Sequence, residues 1–172
     1  MVIRCTSKLL KEMDLRKPDL REMPEKQQDF LGEWYAHLFY FERRKCVIFT
    51  NAKTLFSFVA FGAKRKDIKK LDVVFRKELG RALYEEDFSS QDISWILKAC
   101  ENITYGKTIS RSVIGSMNDL ITQYHYFVGR SMFFDNKDSD GWRMINRTPM
   151  GTLKYGLPIE RFVALLKTAQ GK

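Results

Sequence analysis

Apolar and polar positions alternate over residues 2 to 5 and predict a short strand. A helix follows, capped by Thr6 or Ser7, with Leu9, Leu10 and Met13 as its apolar positions and an end before Pro18. Residues 14 to 30 carry Pro18, Pro24 and many charges, and read as an exposed connector. From Trp34 the period is two: Trp34, Ala36, Leu38 and Tyr40 alternate with Tyr35, His37, Phe39 and Phe41. After a polar interruption at 42 to 45, β-branched and aromatic residues resume at 46 to 50 and at 54 to 61. The pattern predicts a three-stranded antiparallel meander over 34 to 61, turning at 42 to 45 and 51 to 53. Both faces of its first strand are apolar, so that strand is either covered on both sides or shared between a core and an interface.

Beyond Gly62 the spacing becomes helical. Ile68, Leu71, Phe75, Leu79 and Ala82 predict a helix near 67 to 84, and Ile93, Ile96, Leu97 and Cys100 one near 90 to 100. A further strand is expected within 103 to 108. Ile114, Met117, Ile121, Tyr124 and Val128 mark a helix over 112 to 128, and Pro158 opens one to about 167 through Ile159, Phe162, Val163 and Leu166. Residues 135 to 141 form a polar loop without the acidic spacing or closing Glu of a calcium-binding loop. Strands followed by a run of helices define an α+β class. We expect a single domain over residues 1 to 172, with the N-terminal strand joining the meander and the helices packed mainly on one side of the sheet.

The chain has 172 residues, 44% of them hydrophobic, which suits one core. With 30% charged residues and no apolar run approaching the roughly 18 residues of a spanning helix, no membrane segment is expected. Nothing at the start resembles a secretory signal, so a cytoplasmic protein is expected. The net charge is +9, with a pI near 9.5. Residues 62 to 81 concentrate it, with Lys64, Lys66, Lys69, Lys70, Arg76 and Lys77 as a basic face. The acidic residues Glu85, Glu86, Asp87, Asp92 and Glu101 follow. Two readings stay open: a solvated face paired within the molecule, or a surface for nucleic acid or an acidic protein. Tyr35, Phe39 and Tyr126 are candidates for stacking on bases.

Cys5, Cys46 and Cys100 are odd in number, far apart and set among apolar residues, so reduced buried thiols are expected. His37 and His125 lack a second ligand at metal spacing, and no metal or cofactor is implied. There is no phosphate-binding Gly-x-x-x-x-Gly-Lys-Ser/Thr, no Gly-x-Ser-x-Gly and no His-Glu-x-x-His. Three polar stretches remain. In RSVIGSMND at 111 to 119, Arg111, Ser116, Asn118 and Asp119 either cap a helix or surround an anion. In NRTPM at 146 to 150, Asn146 and Arg147 either make a turn or hold a guanidinium outward beside Pro149. Arg44 and Asn51 stand at the two turns of the meander. We expect the 111 to 119 and 146 to 150 residues to lie together, as an Arg147–Asp119 clamp or as an anion pocket.

Three blocks together carry a family likeness: IRCT with KLL, RKCVIFTN with TLFSF, and RSVIGSMND with NRTPM. They resemble a bacterial family of small proteins known only as a domain of unknown function. The resemblance implies one domain over most of the chain and brings no activity, cofactor or catalytic residue. Two functions follow from the residues themselves. One is a non-enzymatic binding module for nucleic acid or an acidic partner. The other is a metal-independent enzyme on a phosphate-containing substrate, with Arg111 and Arg147 holding the anion and Asp119 or His37 moving protons. An enzyme requires the polar blocks to converge in a pocket, whereas a module requires a continuous basic surface.

Overall fold

The computed structural model describes residues 1–16, 19–20, 30–134 and 140–171, with the backbone alone for 129–134 and 140–142. Its strands are β1 (Val2–Cys5), β2 (Trp34–Phe41), β3 (Arg44–Asn51), β4 (Ser57–Ala60) and β5 (Thr104–Lys107). They form one five-stranded sheet in the order β4-β3-β2-β1-β5. The expected meander is present, since β2 pairs antiparallel with β3 and β3 with β4. The N-terminal strand joins it in parallel to β2, and β5 adds itself in parallel to β1, so the sheet as a whole is mixed. Parallel neighbours need crossovers, and the α1 (Ser7–Glu12) connection supplies the one between β1 and β2.

Helices cover both faces of this sheet, not mainly one. Successive residues of a strand point to opposite sides. On one side Trp34 meets Phe75 of α3 (Leu71–Glu85) and Phe162 of α7 (Pro158–Ala169), with ring centroids 5.2 and 6.2 Å apart. On the other, Phe39 and Phe41 each lie 5.7 Å from the ring of Tyr124 in α5 (Arg111–Phe134). The double-sided apolar pattern of β2 therefore marks a strand covered on both sides. Phe49, Phe58 and Phe75 extend the first of these layers into a single aromatic cluster.

The expected helix at 67 to 84 is two helices. α2 (Arg65–Ile68) ends at Lys69, and Lys70 leaves the helical region with φ −114° and ψ 51° before α3 begins. α4 (Ser90–Ala99) starts where Ser89 accepts the Asp92 N–H at 3.1 Å. α6 (Asp140–Asn146) begins inside the stretch read as a polar loop, of which 135–139 lie outside the described residues. Residues 17–18 and 21–29 of the expected connector also lie outside them. Among the described residues no helix is long and apolar enough to cross a membrane.

Candidate functional site

Among the described residues no hydrogen bond or ion pair joins Arg111, Asn118 or Asp119 to Asn146 or Arg147, although the first block reaches Thr152, just past the second, through Ser116. Asn51 is fully buried at the end of β3, and its Oδ1 accepts the N–H groups of Lys53 and Thr54 and the Thr54 hydroxyl, each at 3.1 Å. Its Nδ2 donates to the Leu31 carbonyl at 2.8 Å. That amide is spent on closing the β3–β4 turn. Asn146 is also fully buried; its Oδ1 accepts the Ser57 N–H and its Nδ2 donates to the Ser57 carbonyl, both at 2.8 Å. The side chain thus stands in for one rung of a further strand and seals the outer edge of β4. Ser116 is buried, with its hydroxyl 3.0 Å from that of Thr152. Arg111, Asn118 and Asp119 are exposed on α5.

The carboxylate that Arg147 meets is Glu86, not Asp119. Both guanidinium Nη atoms of Arg147 donate to Glu86, Nη1 at 2.7 Å, and Nη1 also reaches the Arg143 carbonyl at 3.3 Å. The Glu86 side chain has no exposed surface, and Arg143 Nε approaches it at 3.9 Å. The reason is topological: α3 and α6 both pack on β4, so the residue just past α3 faces α6, while Asp119 points to solvent. The pairing pushes the Arg147 guanidinium above its ordinary value.

One buried polar group escaped the sequence reading. Arg4, 8% exposed in β1, donates through Nε to Glu33 at 2.7 Å and through Nη1 to the Lys107 carbonyl at 3.0 Å. Register places Gly106, Arg4, Tyr35, Thr50 and Ser57 in one row across all five strands. The Tyr35 hydroxyl accepts the Ser110 N–H at 3.1 Å, and the Thr50 and Ser57 hydroxyls are 2.8 Å apart. The signal available in the sequence was a lone Arg inside an apolar strand, which requires a carboxylate nearby.

The basic residues gather at the opposite end of the meander. Gly62, with φ +67°, turns the chain out of β4, and the Ala63 N–H donates to the Lys45 carbonyl at 2.8 Å. That bond sets α2 beside the start of β3 and the end of α1. Lys45 pairs with Glu12 at 2.7 Å, Lys69 with Asp14 at 2.6 Å and Arg65 with Asp14 at 3.4 Å. Lys8, Lys11, Glu12, Asp14, Lys45 and Arg65 line an open pocket of about 410 Å³. The hydrogen bond from Lys45 holds the Glu12 carboxyl below its ordinary range, and Lys69 does the same for Asp14. Lys64, Lys66 and Lys70 are exposed, with no ion pair among the described residues.

Further along the basic face the charges are matched. Arg76 lies 3.5 Å from Asp72, Lys77 3.6 Å from Glu78, and Arg81 3.0 Å from Glu78. Of the aromatic candidates, Tyr35 and Phe39 are buried, because β2 is covered on both faces, and Tyr126 is exposed. Tyr40 is 46% exposed, with the Lys8 ammonium 4.8 Å from its ring centroid. On the other side of the same hairpin the Arg44 guanidinium lies 5.2 Å from the Phe61 ring centroid. His37 is half-buried, its Nδ1 3.0 Å from the Thr6 hydroxyl. Burial, and secondarily the charge of Lys8, lower its pKa. All three cysteines are buried and outside any disulfide among the described residues, and burial pushes the Cys5 thiol far up.

The architecture is thus an α+β fold on a mixed five-stranded sheet, with a charged pocket where α1, α2 and the β2–β3 hairpin meet. The chain belongs to the family described as a domain of unknown function, DUF6933, whose model matches residues 2–161. The expected membership of a family without an assigned function is borne out. Comparison with curated proteins finds no match.

Proposed function

We propose that the chain acts as one domain and is a non-enzymatic binding module that engages nucleic acid through the basic end of its sheet. The observation that carries this reading is the cluster of Lys8, Lys11, Lys45 and Arg65 around one open pocket that Glu12 and Asp14 also line, flanked by Lys64, Lys66 and Lys70, which have no ion pair among the described residues. Cations spaced over such a surface neutralise successive phosphates and release counterions, irrespective of base identity. The exposed Tyr40 and, on the other side of the hairpin, Arg44 over the Phe61 ring add the aromatic and arginine surface that nucleic acids favour over acidic proteins. What weighs against the enzyme alternative is that Arg147, one of its two anion-holding residues, is bound to Glu86, while Arg111 and Asp119 stand exposed on α5. The free buried thiols suit a reducing compartment such as the cytoplasm.

The test is fluorescence anisotropy with a short labelled duplex over a salt series. Contact with about four phosphates gives a slope of about −3.6 for log K against log salt. Lys66→Glu combined with Lys70→Glu reverses two charges, and weakens binding by about tenfold or more at low salt, the effect fading as salt rises. Wild-type protein that binds neither DNA nor RNA at about 50 mM salt overturns the proposal.

A further inference from the structure

From the neighbourhood of Tyr40 we infer that the nucleic acid is single-stranded, with one phosphate seated in the α1–α2 pocket and the adjacent base stacked on the Tyr40 ring. The inference rests on the binding reading above and adds the form of the ligand. Tyr40 stands opposite Lys45 in the β2–β3 register, so the two side chains leave the same face of the hairpin next to each other. Lys45 lines the pocket, and so does Lys8, whose ammonium lies 4.8 Å from the Tyr40 ring centroid. Ring and pocket therefore share a wall. Lys8 belongs to both, on a stem flexible enough to serve either.

In the free protein the ammonium of Lys8 has the ring as its partner. A phosphate entering between Lys8, Lys11 and Lys45 offers it a full negative charge, which outweighs the attraction of a ring quadrupole at an exposed site. Lys8 then moves toward the pocket and uncovers the aromatic face. A base in a flexible strand can turn onto that face, because every base has a π-surface and a single strand can splay. A base in a duplex is held in its own stack and reaches nothing there, so a duplex gains from the pocket only through its backbone.

The experiment compares oligo(dT) with a duplex of equal length, for the wild type, Tyr40→Ala and Tyr40→Phe, at one low salt concentration. Tyr40→Ala is expected to weaken oligo(dT) binding by about tenfold while changing duplex binding less than about twofold. Tyr40→Phe, which keeps the ring, is expected to bind both as the wild type does. Equal melting temperatures confirm that the exposed substitution leaves the fold intact. The inference is overturned if Tyr40→Ala leaves oligo(dT) binding unchanged, or weakens single strand and duplex alike while the wild type still binds both. A wild type that binds neither form overturns the underlying reading and this inference with it.

Discussion

Replacing Asn146 by Ala removes the group that seals the edge of β4. The Ser57 N–H and carbonyl each have a 2.8 Å bond to this one amide, and both Ser57 and Asn146 are fully buried. A buried polar group left without a partner costs about 1–3 kcal/mol, so two orphans cost about 2–6 kcal/mol. The vacated space is about the size of a water, which can satisfy part of the loss and sets the expectation at about 2–4 kcal/mol. For a chain of this length that is a fall in melting temperature of about 5–15 °C. Asn146→Asp separates edge sealing from simple loss of volume. Its carboxylate still accepts the Ser57 N–H but sets a second charged oxygen against the Ser57 carbonyl, so its folded pKa lies above the unfolded value of about 3.9. The unfolded state then binds fewer protons than the folded one, and the penalty shrinks as pH falls through the raised folded pKa. Calorimetric melts of both variants, with exposed Asn118→Ala as the control, measure the effect. Asn146→Ala melting within about 2 °C of the wild type refutes the reasoning.

Arg147→Met should destabilise by about 1–3 kcal/mol in urea melts, because Glu86 keeps only the 3.9 Å approach of Arg143, whereas Asp119→Asn should change nothing. Equal effects of the two would refute the Glu86 assignment. NMR titration of His37 should show a midpoint below the ordinary value of about 6.5. The unfolded chain binds the proton more tightly, so stability should decline as pH falls from about 6.5 to the folded midpoint. Lys8→Met should raise that midpoint, and an unshifted one would remove Lys8 from its environment. Asp14→Asn should release Lys69 and Arg65, tighten nucleic-acid binding at low salt and steepen the salt slope by about 1. Unchanged affinity and slope would count against the basic end as the contact surface.

The meander was legible because alternation over residues 34 to 41 and the polar break at 42 to 45 are local signals, and so was its covering by helices. The side on which helices pack was less so: the apolar residues on both faces of β2 already pointed to two layers, and only the contacts of Trp34 and of Phe41 separate them. Parallel pairing of β1 with β2 and β5 left no trace, since a four-residue strand carries a period but no information on its neighbours. The polar blocks contained the right residue types for buried work. Their partners are 20, 89 and 61 positions distant for Asn51, Asn146 and Arg147, and no local pattern encodes such choices.

The same distinction governs the basic run at 62 to 81, which composition treats as one block. On α3, Arg76 lies beside Asp72, Lys77 beside Glu78, and Arg81 beside both Glu78 and Glu85, so that these cations and carboxylates balance and act as dipoles at any distance much larger than their own separations. A dipole's field falls faster than that of a free charge, and at physiological salt the screening length is about 8 Å, so little of the α3 charge reaches an approaching polyanion. At α2 the neighbours of Lys64, Lys66 and Lys70 are the pocket cations, and these outnumber the carboxylates there: Glu12 and Asp14, each paired with a cation of that same pocket, and Asp67, whose Oδ2 accepts the Lys64 N–H at 3.0 Å. The uncompensated positive potential therefore issues from the end where α1, α2 and the β2–β3 hairpin meet. A phosphate backbone drawn in by that field arrives where an exposed ring, Tyr40, stands beside the cations.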